Sequence, residues 1–156
     1  MQWADVLADA TLRDLPFKVE LNARGVVEMS PTSTWQGRQR TRVIQELTRC
    51  FPEGEILSRP AIQTVNGVRV PDVAWRSAAA LSAHGYVSPL PVAPELCVEV
   101  LSDSNSDAEM AAKRAAYFAS GAQEVWLVAD DSSIVVYTKD GLQTSSTVVA
   151  EIPKLS

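Results

Sequence analysis

The chain has 156 residues, 46% hydrophobic and 21% charged, with a formal net charge of −5 at pH 7. This fits one globular domain over residues 1–156 with a sizeable core, and the acidic balance argues against attraction to nucleic acid over the whole surface. No apolar run approaches the roughly 20 residues of a membrane span, the acid-bearing start MQWADVLADATLRDLPF lacks secretory-signal character, and Cys50 and Cys97 have no disulfide or zinc spacing, so a cytoplasmic protein with free thiols is expected.

Residues 3–14 alternate apolar and acidic positions as a short amphipathic helix does, and Pro16 closes it. FKVELNARGVVEMS reads as a hairpin joined around NARG. After SPTST a helix is expected in which Val43, Ile44 and Leu47 share a face, with Phe51 one turn on and Pro52 and Gly54 as terminators. From Trp35 to Phe51 the only acid is Glu46, whereas Arg38, Arg40, Arg42 and Arg49 make the segment basic. A solvated helix face is the simpler account, and a phosphate-contacting helix needs support from elsewhere.

Asn66 and Gly67 signal a tight hairpin, which predicts that Ala61–Val65 pairs with Val68–Trp75. Residues 77–94 read as a helical turn and then an irregular loop, in which His84, the one histidine, is expected to be exposed. PELCVEVLS has apolar residues on both faces and therefore reads as a central strand. SDAE at 106–109 is a capping-box pattern opening a helix that Gly121 ends. EVWLVA, SIVVYT and LQTSSTVV follow as strands, the last two divided by the turn KDG. Hairpin, helix, strands, helix and strands in that order predict an α/β or α+β domain with a mixed sheet.

Two acids stand where apolar residues are expected. Asp72 follows Pro71 in VRVPDVAW, and Glu99 shares a strand face with Cys97 and Leu101. On adjacent strands the pair would be roughly 5 Å apart and would repel unless a cation or proton lay between them. Mg²⁺ is commonly held by one or two carboxylates, with water and substrate phosphate completing its shell. Glu109, Lys113 and Tyr117 recur every fourth residue, so a helix packed over the strand end would bring Lys113 to the acids. Bland alternatives stand beside each reading: Asp72 pairing with Arg76, Glu99 with Lys113, and Lys113 with Glu109. Tyr117 and Trp126 read as core aromatics.

The ordered series of PD at 71–72, EVLS at 99–102, Lys113, Tyr117 and GAQEVWLVAD at 121–130, with VELNARGVVEMSP upstream, resembles the Uma-two group of the PD-(D/E)xK nuclease superfamily. The resemblance implies an α/β fold with a restriction-endonuclease-like central mixed β-sheet, flanking helices and an N-terminal β-hairpin. It also implies a metal-dependent endonuclease acting on DNA with Mg²⁺ or Mn²⁺ bound by Asp72, Glu99 and the backbone carbonyl of Val100. The superfamily's lysine, two residues after the second acid, is Leu101 here, and Lys113 is its expected substitute. Glu28 is a possible additional acid, and Trp35 takes a position where similar proteins often carry histidine. Arg38, Arg40 and Arg42 are candidate contacts to the DNA backbone. By analogy a homodimer is expected, and no membrane partner. The alternative is a catalytically inactive nuclease-like fold that binds nucleic acid or protein; a small-molecule hydrolase using the same acids is a third.

Overall fold

A computed structural model describes residues 1–155. Two short helices, α1 (Trp3–Ala8) and α2 (Ala10–Arg13), lead into the hairpin β1 (Phe17–Leu21) and β2 (Val27–Pro31). The long helix α3 (Thr34–Cys50) follows, then β3 (Glu55–Ser58), β4 (Ile62–Thr64), β5 (Gly67–Arg69), β6 (Val73–Arg76) and α4 (Ala78–His84). The chain ends with β7 (Leu96–Val100), α5 (Asp107–Ala119), β8 (Glu124–Val128), β9 (Ile134–Thr138) and β10 (Gly141–Gln143).

The strands form two sheets. A four-stranded sheet has the order β2-β1-β5-β4, and a six-stranded sheet has the order β10-β9-β8-β7-β6-β3. In the larger sheet only β7 and β8 run parallel, with α5 between them in sequence. Its two faces alternate as the sequence predicts. Leu96, Val98, Trp126 and Val128 pack with Val43 and Leu47 of α3. Cys97, Val125 and Leu127 pack with Met110 and Tyr117 of α5. The smaller sheet has its own cluster, in which Leu21, Val68 and Val70 meet Val6 of α1.

The expected strand Val68–Trp75 is divided. β5 pairs with β4 across the Asn66–Gly67 turn, whereas β6 pairs with β3 and β7 in the other sheet. Pro71 explains the break, since it has no N–H for a ladder. The Val70 N–H is diverted as well, to the Glu20 side chain at 2.8 Å. Gly67 has φ +87°, and a Cβ there would collide with the Leu21 carbonyl oxygen, so only glycine lets β5 lie this close to β1.

Smaller departures have local causes. Ser106 caps α5 by accepting from the Glu109 N–H at 3.1 Å, but the reciprocal half of the capping box is replaced by an Asn105–Glu109 side-chain bond at 3.4 Å. The N-terminal helical stretch is interrupted at Asp9, whose carboxylate caps α2 through the Thr11 N–H. His84 ends α4 half-buried instead of lying in the loop. β10 stops at Gln143. Cys50 is half-buried and Cys97 buried, both as free thiols. Among the described residues no helix is long and apolar enough to cross a membrane.

Candidate active site

The charged residues gather where the two sheets meet. Asp72 lies at the corner between β5 and β6, and Glu99 is on the adjacent strand β7. Both are buried. Val100 donates its N–H to Asp72 Oδ2 at 2.8 Å, and Tyr117 donates its hydroxyl to Glu99 Oε1 at 2.6 Å. The remaining oxygens, Asp72 Oδ1 and Glu99 Oε2, both face the Lys18 ammonium, at 3.4 and 2.8 Å. A cation therefore does lie between the acids, and it comes from β1.

Lys113 reaches the cluster from α5, as its helical spacing predicts. Its nearer partner is Glu20 Oε2 at 3.1 Å, with Glu99 Oε1 at 3.9 Å. Arg69 bridges Glu20 at 3.6 Å and Glu28 at 2.7 Å, so Glu28 stands at the exposed rim and joins the cluster only through that guanidinium. The bland pairing of Asp72 with Arg76 is replaced, because Arg76 binds Glu55 at 2.9 Å. Tyr117 is a core aromatic whose hydroxyl also fixes Glu99, and Trp126 is fully buried and bonded to Glu124.

Arg59 completes the corner. It has φ +52°, a left-handed conformation uncommon for a residue with a Cβ, and is held there from both ends. Its N–H donates to the Asp72 carbonyl at 3.1 Å and its Nη2 to Thr32 Oγ1 at 2.7 Å. The Nε lies 3.8 Å from Asp72 Oδ1, too far for a hydrogen bond, and is a buried donor without a partner. Arg40 Nη1 is a second such donor. Arg38 instead lies over the Trp35 ring at 4.9 Å, and exposed Arg42 bonds Gln45 along the helix. The three arginines expected to act together therefore divide, since positions 38 and 42 share a helix side and position 40 faces away from them.

Electrostatics follow from this packing. Burial opposes the charge on Lys18, but Glu99, Asp72 and Glu20 overcome it and hold the ammonium pKa above the usual lysine value. Burial and then the like charge of Glu99 raise Asp72, against the pull of Lys18, the Val100 N–H and Arg59. Burial also acts to raise Glu99, yet Lys18, Lys113 and the Tyr117 hydroxyl bring it below the ordinary range. Arg59 is lowered by burial and by Arg40, which works against Asp72 and Glu99.

Among the described residues no three His, Cys, Asp or Glu side chains form a metal-binding group. Two carboxylate oxygens aimed at one cation do suit a hard divalent ion that keeps several waters. Asp72 and Glu99 fit Mg²⁺ or Mn²⁺ on those terms if Lys18 yields its position. Leu101, by contrast, is half-buried against the α5-side core, where its side chain has no proton to give. Beside the corner a groove of about 810 Å³ is lined by Thr32, Ser33, Trp35, Leu101, Ser102 and Asp130.

Lys18, Glu20, Arg59 and Arg69 had no assigned role in the sequence reading. A signal for the first two was available, since FKVEL alternates apolar and charged positions. That pattern ordinarily means a solvated strand face, and here the charged face is the buried one.

Over residues 9–154 the sequence matches the Uma2 family, described as "Putative restriction endonuclease". The fold is similar to the crystal structure of "a putative nuclease" from Anabaena variabilis, with a TM-score of 0.66, 13% identity, and coverage of 76% of this chain and 72% of that one. At that identity the likeness is one of fold. No curated protein matches the chain.

Proposed function

This chain belongs to the Uma2 family, described as "Putative restriction endonuclease", and from that premise we propose that it is a metal-dependent endonuclease hydrolysing DNA phosphodiester bonds. The observation that carries the reading is the convergence of Asp72 Oδ1 and Glu99 Oε2 on one cation position. Those oxygens, with the Val100 carbonyl, would hold Mg²⁺ or Mn²⁺. When bound, such an ion supplies Lewis-acid polarisation of a phosphate and lowers the pKa of a coordinated water.

The chain's own groups do the rest. Tyr117 and the Val100 N–H fix the two carboxylates from behind, which aims their free oxygens. Lys113, next to Glu99 and Glu20, orients the attacking water and offsets charge developing on the phosphate. Arg59 Nε and Arg40 Nη1 are buried donors without partners, and would meet phosphate oxygens only if their side chains turned outward. Trp35, with Arg38 over its ring, lines the adjoining groove, where a strand could run.

A plasmid-nicking assay with Mg²⁺ or Mn²⁺ tests the reading. Asp72→Asn and Glu99→Gln should each lower the cutting rate by at least about 100-fold, and Lys113→Met by about 10²–10⁴-fold. Nicking by Asp72→Asn at the wild-type rate would reject the site. A second reading, a nuclease-like fold that binds without cutting, is favoured by Lys18 in the cation position and Leu101 in the superfamily's lysine position. Wild-type protein that binds DNA but leaves the plasmid intact at every metal concentration would select it.

A further inference from the structure

We propose that Lys18 is the resident cation of the carboxylate pair and that a divalent ion enters only by displacing its ammonium, so that Lys18 sets the metal affinity of the site. This rests on the reading of Asp72 and Glu99 as metal ligands given above.

Three observations converge on it. Each acid has one oxygen committed to the protein, Asp72 Oδ2 to the Val100 N–H and Glu99 Oε1 to the Tyr117 hydroxyl. The oxygens left for a ligand are the two that contact Lys18 Nζ, at 3.4 and 2.8 Å. Ammonium and metal therefore compete for the same lone pairs.

The second observation is charge balance. Glu20, Glu28, Asp72 and Glu99 face Lys18, Arg59, Arg69 and Lys113, four charges of each sign in one connected network, with Arg40 a further cation beside Arg59. A doubly charged ion added to a largely buried network that has no negative excess brings two charges that nothing compensates, where screening is weak. Moving one ammonium out halves that excess, and an arriving phosphodiester offsets the remainder.

The third is that Lys18 belongs to a different sheet from the Glu99 it holds. Because Lys18 stands on β1 whereas Glu99 stands on β7, its withdrawal leaves the ligand oxygens in position.

The test is calorimetric titration of the full chain with Mn²⁺ alone, for wild type, Lys18→Met, Lys18→Arg and Asp72→Asn. Lys18→Met should bind Mn²⁺ at least tenfold more tightly than wild type. It should also melt lower than wild type in EDTA and gain more from Mn²⁺. Lys18→Arg keeps the charge and adds a fork that grips carboxylates, so it should bind Mn²⁺ more weakly than wild type. Asp72→Asn should abolish binding. Equal or weaker binding by Lys18→Met, with wild type binding and Asp72→Asn silent, overturns the displacement while leaving the metal pair standing. Should Lys18→Met not fold, wild-type affinity in Lys18→Arg overturns it equally. Absence of binding in every variant removes the metal pair itself, and this inference with it.

Discussion

Glu20 uses both carboxylate oxygens. Oε1 accepts the Val70 N–H at 2.8 Å, and Oε2 meets Lys113 at 3.1 Å and Arg69 at 3.6 Å. Removing one member of a buried ion pair strands the other in a weakly polar site, which costs about 3–5 kcal/mol, so Glu20→Gln and Lys113→Met should each be strongly destabilising. The double variant should cost less than their sum by about 1–3 kcal/mol, read from urea unfolding of the four proteins of the cycle. Strict additivity would show that the 3.1 Å contact contributes no energy. At this scale the sequence was legible only in part. Asp72 and Glu99 declared themselves as charges in apolar strands, and Lys113 by helical spacing from Tyr117. Lys18 and Glu20 sit in a strand whose alternation is what a solvent-facing hairpin would show, and Arg59 lies in a loop, where its partner 13 positions on has no periodic signature.

Glu124 of strand β8 ties down the C-terminal segment by hydrogen bonds, beside the apolar contacts that Val149 and Leu155 make with the core. The fully buried Glu124 accepts from Trp126 Nε1 at 2.9 Å, Ser146 Oγ at 2.7 Å, and the N–H and hydroxyl of Thr147 at 2.6 and 2.8 Å. Burial alone would raise its pKa, but these donors together lower it beneath the usual glutamate value. An acid with a depressed folded-state pKa contributes stability above its unfolded pKa and loses it as pH falls through the folded value. Glu124→Gln should therefore lower stability near pH 7 by about 2 kcal/mol and flatten the decline on acidification. Equal acid slopes for variant and wild type in denaturation from pH 7 to pH 3 would refute this. Most elements were legible here because period and punctuation agreed: the Asn66–Gly67 turn, the Ser106 cap and the doubly apolar β7. The division of 68–75 was not, because the apolar run continues past Pro71 while the chain changes sheets.

Across the whole molecule, net negative charge coexists with a neutral cluster and a basic stretch of α3. Binding to DNA would then rest on few phosphate contacts, so its logarithmic salt slope should be small and each contact a large share of it. Replacing Arg38 and Arg42 together with alanine should weaken binding to duplexes of any sequence and reduce the logarithmic salt slope by about 2. Fluorescence anisotropy between low and physiological salt measures it, and an unchanged slope would mean that neither guanidinium meets a phosphate. The β7–α5–β8 unit and its two packed faces could be read from the chain, whereas the partition into two sheets, and hence the meeting of β1 with β7, depends on long-range pairing that no local pattern encodes. One feature of that meeting reaches beyond the site. Asp72 and Glu20 each grip a backbone N–H far along the chain, that of Val100 and that of Val70. They act as rivets through the seam, whatever chemistry the seam performs. A descendant could not discard these two acids without reworking the joint, so their persistence in a relative would be no mark of activity.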